Sequence, residues 1–254
     1  MIDIHSHILP GVDDGAQTEA DSIAMAKAAV EQGIDTIIAT PHHKNGKYNN
    51  ERRAIIQYTE ILSELLVKED IPLTVLPGQE IRIYGELLED MENDLILPLN
   101  ETKYLFIEFP SGHVPRFSKQ MIFDIQVAGY TPIIVHPERN RELIEHPTKL
   151  YDFVQNGALT QVTAGSVTGK FGKNIQKFSQ QLLENHLTHF IASDAHNTKT
   201  RAFWMEEAFQ EVKKNFGSDY FYMFLENSQL LVDNMNVNRF EPSKIKKKKF
   251  LGLF

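Results

Sequence analysis

The chain of 254 residues contains no cysteine. Without thiols it has no disulfides, no thiolate metal ligands and no cysteine nucleophile, so its chemistry must use histidine, carboxylate, hydroxyl groups or bound metal. The sequence also lacks an apolar run near the roughly 20 residues of a membrane-spanning helix, a signal-peptide pattern, and a long Gly, Ser or Pro linker. We therefore expect a cytoplasmic protein with a single large domain over residues 1–241.

Basic residues are scarce over most of the chain and are concentrated near its C-terminal end. Residues 1–240 contain 21 basic and 33 acidic side chains, a formal charge of −12, whereas five lysines lie between Lys244 and Lys249. An acidic body is a poor surface for nucleic acid, so we expect no nucleic-acid partner. We interpret residues 242–254 as a basic and apolar tail. It is either a solvated end or a segment that makes transient contact with an anionic membrane.

Seven short apolar runs alternate with longer helical patterns along the chain. The strand candidates lie near residues 1–5, 34–40, 73–79, 104–108, 131–136, 159–163 and 189–193. Helices are predicted near residues 18–33, 50–69, 84–92, 117–128, 141–156, 174–186, 200–216 and 226–234. Thr18, with Asp21 three residues later, has the pattern of a capping box that begins the first helix. The alternation predicts an α/β architecture, and seven strands rather than eight predict a distorted (β/α)7 TIM-like barrel.

Almost every strand candidate ends in a histidine or a carboxylate. These end residues, in chain order, are His5, His7, His42, Glu80, Glu108, His136, Asp194 and His196. The C-terminal ends of the strands of a β/α barrel meet on one face, where catalytic groups lie. Residues two apart in an extended segment point to the same side, so His5 with His7, and Asp194 with His196, can hold one ion. The pattern predicts a multinuclear metal site.

The candidate ligands outnumber those that one ion uses. Asp14 brings the set to nine residues, whereas a catalytic zinc ion has about three protein ligands. Two or three ions fit better, with Glu80 bridging a pair. Imidazole and carboxylate donors without sulfur suit Mn²⁺, Fe²⁺ or Zn²⁺. Three divalent ions with the four carboxylates of the set would carry a formal charge of about +2, which favours an anionic substrate such as a phosphate group. His43 directly follows His42 and is the alternative ligand there.

Two arginines are predicted to bind that phosphate group. Arg139 lies three residues past a strand end, and Arg201 lies seven residues after Asp194, at the predicted start of a helix. One guanidinium group can donate two parallel hydrogen bonds to phosphate oxygens, and its charge stabilises the negative charge that develops during phosphoryl transfer. We predict that both arginines bind substrate and act in catalysis. The alternative is that each is a helix-surface arginine.

The ordered motifs resemble those of a known family. They are His5-Ser-His7, Asp13-Asp14-Gly15, Thr40-Pro-His42, Glu80, Glu108, His136-Pro-Glu-Arg139 and Asp194-Ala-His196. Together they resemble the polymerase and histidinol phosphatase (PHP) family, and more narrowly its bacterial protein-tyrosine phosphatases, which accompany tyrosine kinases of capsule and exopolysaccharide synthesis. Pro41 departs from the pattern, because many PHP proteins have an acidic residue there.

The resemblance implies a PHP-type barrel with a trinuclear site, usually associated with manganese. By this resemblance, one ion would be held by His5, His7, Glu80 and Asp194. Glu80 would bridge to a second ion held by Glu108 and His136, and the third would be held by Asp14, His42 and His196. Arg139 and Arg201 would correspond to phosphate-binding arginines.

The resemblance also implies a reaction and a partner. The expected reaction is hydrolysis of phosphotyrosine on a membrane-associated bacterial tyrosine kinase and related capsule or exopolysaccharide proteins, by a metal-activated hydroxide. A phenolate, whose conjugate acid has a pKa of about 10, leaves without a dedicated general acid. We expect the protein to work in the cytoplasm, close to the membrane.

Other functions share parts of this pattern. A small-molecule phosphatase of the histidinol-phosphate type would use the same ligands and differ only in the shape of the barrel mouth. A nuclease is disfavoured by the acidic body, and an amidohydrolase typically bridges its metals with a strand-end lysine, where this chain offers Glu80 and Glu108. A non-catalytic kinase-binding protein stabilised by metal is the remaining alternative.

Overall fold

The computed structural model describes residues 1–246, and the apolar end of the predicted tail lies outside the described residues. The strands are β1 (Ile2–Ser6), β2 (Thr36–Ala39), β3 (His42–His43), β4 (Thr74–Pro77), β5 (Glu80–Arg82), β6 (Tyr104–Glu108), β7 (Thr131–Val135), β8 (Leu159–Thr163) and β9 (Phe190–Ala192). The helices are α1 (Glu19–Glu31), α2 (Arg52–Lys68), α3 (Leu87–Glu92), α4 (Ser118–Val127), α5 (Arg141–Glu145), α6 (Thr148–Gln155), α7 (Ala164–Val167), α8 (Lys173–Glu184), α9 (Met205–Phe216) and α10 (Ser218–Val232).

The strands form a parallel barrel with seven positions. One sheet has the order β1-β2-β4 and the other the order β3-β5-β6-β7-β8-β9, and all of these strand pairs are parallel. Because β3 follows β2 and β5 follows β4 after short breaks, each of these pairs occupies one position. The barrel closes where the His7 N–H donates to the Ala195 carbonyl at 2.8 Å and the Asp194 N–H donates to the His5 carbonyl at 2.8 Å. The predicted distorted (β/α)7 TIM-like barrel is confirmed.

Two strand positions are interrupted, which the sequence patterns did not indicate. Pro41 separates β2 from β3, and it has no N–H to donate to a neighbouring strand. Gly78 lies between β4 and β5, where a Cβ atom would approach Ile38 Cγ2 to 2.7 Å. The breaks leave His42 and Glu80 on short strands that pair directly with each other. Both side chains are therefore brought to the same edge of the barrel.

The barrel interior is apolar below the polar strand ends. Ile4 and Phe106 belong to a buried inner cluster, and the His5 ring lies 4.8 Å from the Phe106 ring. Ile4 and His5 are consecutive, yet both lie against this cluster. The pairing register of β1 shifts between Asp3 and Ser6, and a local bulge of this kind redirects successive side chains. The irregularity thus turns His5 into the barrel.

The predicted helices occur in the predicted order, α7 is an additional short helix that was not predicted, and three of the predicted helices differ clearly in their bounds. The capping box of Thr18 and Asp21 is present at the start of α1. The helix predicted over residues 141–156 is divided into α5 and α6 beside Pro147, since a residue before proline disfavours the helical conformation. The helix predicted from residue 200 begins only at Met205, and the one predicted from residue 226 already begins at Ser218.

The first residues of the predicted tail lie on the barrel. The Ser243 N–H donates to the Asn185 carbonyl at 2.9 Å, and the Lys244 ammonium lies 5.1 Å from the centre of the Tyr151 ring. Ile245 packs against the main hydrophobic core. The domain boundary near residue 242 stays a prediction. Across residues 1–246, none of the helices combines the length and the apolar character needed to traverse a lipid bilayer.

Candidate metal centre

The nine candidate ligands converge at the C-terminal ends of the strands. His5 and His7 from β1 and the segment after it face Glu80 and Asp194. The His5 Nε2 atom is 3.5 Å from both Glu80 Oε2 and Asp194 Oδ1, and the His7 Nε2 atom is 3.3 Å from the same two oxygens. All four side chains are fully buried. Two imidazoles and two carboxylates thus surround one point.

Glu80 joins this first group to a second one. His136 Nε2 lies 2.8 Å from Glu80 Oε1 and 4.0 Å from Glu108 Oε1. On the other side, His42 Nδ1 lies 2.8 Å from Glu80 Oε2 and 3.9 Å from Glu108 Oε2. The two oxygens of the Glu80 carboxylate therefore lie beside different histidines, Oε1 beside His136 and Oε2 beside His42. A carboxylate placed in this way can bridge two ions.

A third group forms around Asp14 at the more open side of the cluster. Its Oδ1 atom lies 3.3 Å from His42 Nε2 and 3.5 Å from His196 Nε2. The ring of His196 in turn lies 3.7 Å from that of His7. The ligand atoms of His7, Asp14, His42 and His196 lie within 4.8 Å of one another. The three groups are thus contiguous, and the roles of these nine residues as metal ligands stay predictions.

His43 is turned away from this cluster. Its buried ring lies 6.3 Å from the Tyr84 ring, and it is absent from the groups of potential ligands found among residues 1–246. Its neighbour His42 contacts both Glu80 and Asp14. The geometry therefore favours His42 as the ligand at this position.

The cluster contains buried polar atoms that a cation would satisfy. Within the described part of the chain, Glu80 Oε2, His42 Nδ1 and His196 Nε2 are buried without a hydrogen-bond partner. The first two atoms lie only 2.8 Å apart, but their contact lacks hydrogen-bond geometry. A buried polar atom left unpaired costs about 1–3 kcal/mol. The donors present, imidazole nitrogens and carboxylate oxygens, fit divalent Mn, Fe or Zn.

The protonation equilibria show how strongly the groups interact. Burial opposes ionisation of Glu80, but His42 and His5 outweigh it and hold its pKa well below the usual range. Burial also disfavours the charged form of His42, yet the charge of Glu80 and the hydrogen bond to Asp14 raise the His42 pKa to about 10. Burial together with the charge of Arg139 lowers the His136 pKa to about 4. Glu80 and Asp14 thus favour the protonated form of His42, whereas burial favours the neutral form of His136.

Both predicted arginines contact Asp194. The Arg139 Nη2 atom donates to Asp194 Oδ2 at 2.6 Å, and the Arg201 Nη2 atom donates to the same oxygen at 3.0 Å. Burial opposes ionisation of Asp194, but the two guanidinium groups hold its pKa well below the usual range. Arg201 lies in the loop before α9, and its predicted position at the start of a helix is wrong. The chain turns at Trp204, which has a left-handed φ of 47°, before α9 begins at Met205.

A pocket beside the cluster has room for a small anionic group. It has a volume of about 230 Å³ and is lined by Glu108, His136 and Arg139, among other residues. A larger open groove of about 1430 Å³ is lined by residues such as Phe117 and Phe123 of the α4 region. None of the nine candidate ligands lines that groove, so the smaller pocket is the better candidate for the reacting group.

Three polar residues that contact the ligands were missed by the sequence patterns. Gln161 Oε1 lies 2.9 Å from His5 Nδ1, and Arg82 Nε donates to Glu108 Oε2 at 2.8 Å. Asp13 Oδ2 lies 2.6 Å from His7 Nδ1. Arg82 follows Glu80 by two positions on one strand, and this same-face spacing was the available signal. Asp13 lies within the motif Asp13-Asp14-Gly15, but the sequence patterns indicate only its neighbour Asp14 as a ligand.

Comparisons with known proteins show the family to which the chain is similar. The family model for capsular polysaccharide synthesis proteins CpsB/CapC matches residues 1–233. The tyrosine-protein phosphatase YwqE of Bacillus subtilis is 55% identical over 254 residues, which is 100% of both chains. The tyrosine-protein phosphatase CpsB of Streptococcus pneumoniae is 32% identical over 243 residues, covering 92% of this chain and 96% of that protein.

Solved structures give the same relationship. A crystal structure from work on YwqE and on CpsB of Streptococcus pneumoniae, described as metal-dependent tyrosine phosphatases, matches with a TM-score of 0.95 and 55% identity. The match covers 97% of this chain and 100% of that chain. A lactonase of Listeria monocytogenes, 13% identical with a TM-score of 0.53, is similar in fold alone. The resemblance to the capsule-type bacterial tyrosine phosphatases is thus confirmed, and the chain belongs to the CpsB/CapC family of capsular polysaccharide synthesis proteins.

Proposed function

We propose that this chain is a metal-dependent protein-tyrosine phosphatase that acts on a membrane-associated bacterial tyrosine kinase and on related capsule or exopolysaccharide proteins. One observation carries the proposal: nine imidazole and carboxylate side chains lie in three contiguous groups beside two arginines, in a chain without cysteine. Relatives at 55% and 32% identity that bear the name tyrosine-protein phosphatase support it.

The three ligand groups suggest how the ions would be distributed. The first ion would be held by His5, His7, Glu80 and Asp194, the second by Glu80, Glu108 and His136, and the third by Asp14, His42 and His196. Manganese is the first candidate, with Fe²⁺ and Zn²⁺ as alternatives. Bound divalent ions would supply Lewis-acid charge at the phosphoryl group and lower the pKa of water.

The two arginines would orient the phosphate group. A guanidinium carries five N–H donors, so Arg139 and Arg201 can each keep one contact with Asp194 and direct other donors towards phosphate oxygens. Their side chains are 22% and 31% exposed, which leaves part of each facing the open side of the cluster. The same donors would stabilise the charge that develops on the phosphoryl oxygens. The phenolate needs no proton from a side chain, because the pKa of its conjugate acid is only about 10.

Metal analysis combined with two turnover assays tests the proposal. A phosphotyrosine peptide and histidinol phosphate are offered side by side to the manganese-loaded chain and to a His5→Ala variant. We expect the wild type to favour the peptide, and the variant to lose metal and activity together. Preference for histidinol phosphate would favour the small-molecule phosphatase, and a metal-loaded protein inert towards both would favour the non-catalytic alternative.

The tail is proposed to bring the enzyme close to its membrane-associated substrate, at the cytoplasmic face. We propose one barrel domain over residues 1–241, followed by this basic and apolar segment. Each lysine near an anionic leaflet contributes about 1 kcal/mol to binding. Sedimentation with anionic liposomes would compare the full chain with a version ending at Lys246, which keeps the contacts of Ser243 and Ile245 with the barrel. Equal amounts of both in the supernatant at low salt would exclude membrane binding by the tail.

A further inference from the structure

Asp13 is a buried carboxylate that belongs to none of the three ligand groups. Only 3% of the residue is exposed, and its oxygens face three donors. Oδ2 lies 2.6 Å from His7 Nδ1 and accepts the His42 N–H at 3.1 Å, while Oδ1 accepts the Gly15 N–H at 2.8 Å. One side chain therefore contacts a side chain of the first group and the backbone of a residue in the third.

The contact with His7 determines which nitrogen of the ring is free. An ionised carboxylate only accepts hydrogen bonds, so His7 Nδ1 must carry the proton in this pair. In the neutral ring the lone pair is then on Nε2, the atom that lies 3.3 Å from both Glu80 and Asp194. Carboxylates that hold metal-binding histidines in this way set both the tautomer and the ring orientation.

The same loop is folded tightly around His7. The Ala16 N–H donates to the His7 carbonyl at 3.0 Å, and a Cβ atom on Gly15 would lie 2.0 Å from that carbonyl oxygen. The Gln17 side-chain amide donates to the carbonyls of Asp13 and Gly15 at 3.0 and 2.8 Å. Asp14 lies within this clamped turn, so the position of its carboxylate depends on the contacts of Asp13.

We propose that Asp13 is a positioning residue that sets two metal positions at once, by holding His7 for the first ion and by fixing Asp14 and His42 for the third. This inference rests on the metal centre of the proposed function. Gln161 differs from Asp13 in serving a single ion position. Its Oε1 atom lies 2.9 Å from His5 Nδ1, and among the described residues its side chain makes no hydrogen bond to another candidate ligand.

Asparagine at this position retains the shape but cannot accept from all three donors. If its oxygen faces His7 and His42, its amide group meets the Gly15 N–H. If its oxygen faces Gly15, its amide group meets two donors, and His7 can accept only by moving its proton to Nε2, which removes the lone pair from the centre. Either orientation disturbs the loop or the ring.

The test measures manganese affinity, by competition with a chelating indicator, for the wild type and for Asp13→Asn and Asp14→Asn. We expect Asp13→Asn to weaken two binding positions by about 10- to 100-fold each, and Asp14→Asn to weaken only one. Asp233→Asn changes an exposed carboxylate at the end of α10 that accepts only from the Gln229 side chain, and it is the control that leaves manganese affinity unchanged. Circular dichroism and thermal unfolding of the metal-free variants show whether each one is folded.

A milder variant keeps the inference testable if Asp13→Asn does not fold. Asp13→Glu keeps the carboxylate but displaces it by one methylene group from His7, Gly15 and His42, so it should weaken the first and third positions together by several-fold, and weakening of one position alone would refute the inference. Wild-type affinity in Asp13→Asn, or loss of only one position, would refute the inference while leaving the proposed function intact. A wild-type protein that binds no manganese and hydrolyses no phosphotyrosine would instead refute the proposed function, and the inference with it.

Discussion

Replacement of Arg139 by alanine tests the division of labour between arginines and metal ligands. In the structure the Arg139 guanidinium donates to Asp194 Oδ2 at 2.6 Å, and most of the side chain is buried. Arg201 contacts the same carboxylate at 3.0 and 3.2 Å. Asp194 therefore keeps one guanidinium partner in Arg139→Ala, and we expect the variant to retain its metal ions.

The expected loss lies in turnover. Removal of one charged donor from a site where negative charge develops costs about 2.7–4 kcal/mol, which corresponds to about 10²- to 10³-fold in kcat. The assay is steady-state hydrolysis of a phosphotyrosine peptide by protein whose bound manganese is counted in the same sample. A fall in kcat with an unchanged metal count is the signature of an interaction made mainly in the transition state.

Arg82→Ala is the matched control for removing a guanidinium from a ligand carboxylate. Arg82 pairs with Glu108 at 2.8 Å and does not contact Asp194. We expect this variant to bind manganese more weakly and to recover most of its activity when the metal concentration is raised, whereas Arg139→Ala should not recover. If excess manganese restores Arg139→Ala, or if its kcat falls less than about 10-fold, the arginine serves Asp194 and not the substrate.

Three further outcomes are expected. Chelation of divalent metal should abolish phosphotyrosine hydrolysis while thiol alkylation leaves it unchanged, because the chain has no cysteine; activity that resists chelation would contradict the metal mechanism. Burial lowers the pKa of His189 from 6.5 to about 3, so between these pH values the unfolded chain binds a proton at this histidine and the folded chain does not. The stability that the neutral, buried His189 contributes is therefore complete above pH 6.5 and is lost as the pH falls towards 3. Denaturant unfolding of His189→Gln should therefore show a weaker decline than wild type over that range, and parallel curves would refute the assignment. Thr18→Ala should cost about 1 kcal/mol in unfolding free energy through loss of the α1 cap, against no change for the surface variant Lys27→Gln.

The fold was predictable because two periodicities alternate clearly along the chain. Seven short apolar runs alternate with helical patterns, and parallel strands joined by helices leave few topologies. The ligands were predictable for a related reason, since strand ends meet on one face of a barrel. These rules predict which residues are candidate ligands, such as Glu80 and Asp194. In the structure a carboxylate oxygen of each lies 3.3 Å from His7 Nε2.

The interruptions and shifts were less accessible because they depend on contacts between distant segments. The break at Gly78 exists where Ile38 from another strand approaches too closely for a side chain. The late start of α9 depends on the turn at Trp204, whose ring packs beside Gly165 and Phe171. Pro147 is the exception, because a proline within a predicted helix is a local signal that the helix ends there.

Backbone strain at two of the ligands could not be foreseen from local preferences. His136, directly after β7, and Asp194, two residues after β9, have left-handed φ values of 34° and 52°. Such conformations cost a non-glycine residue about 1–3 kcal/mol and persist only where surrounding contacts enforce them. At Asp194 the N–H donates to the His5 carbonyl at 2.8 Å, while Arg139 and Arg201 hold the carboxylate. The backbone after β9 is strained at Asp194 because two demands meet at this residue. Its N–H closes the barrel, and its carboxylate must point towards the cluster. Closure and ligand placement are one structural requirement, which explains why chemistry and strain coincide at this strand end.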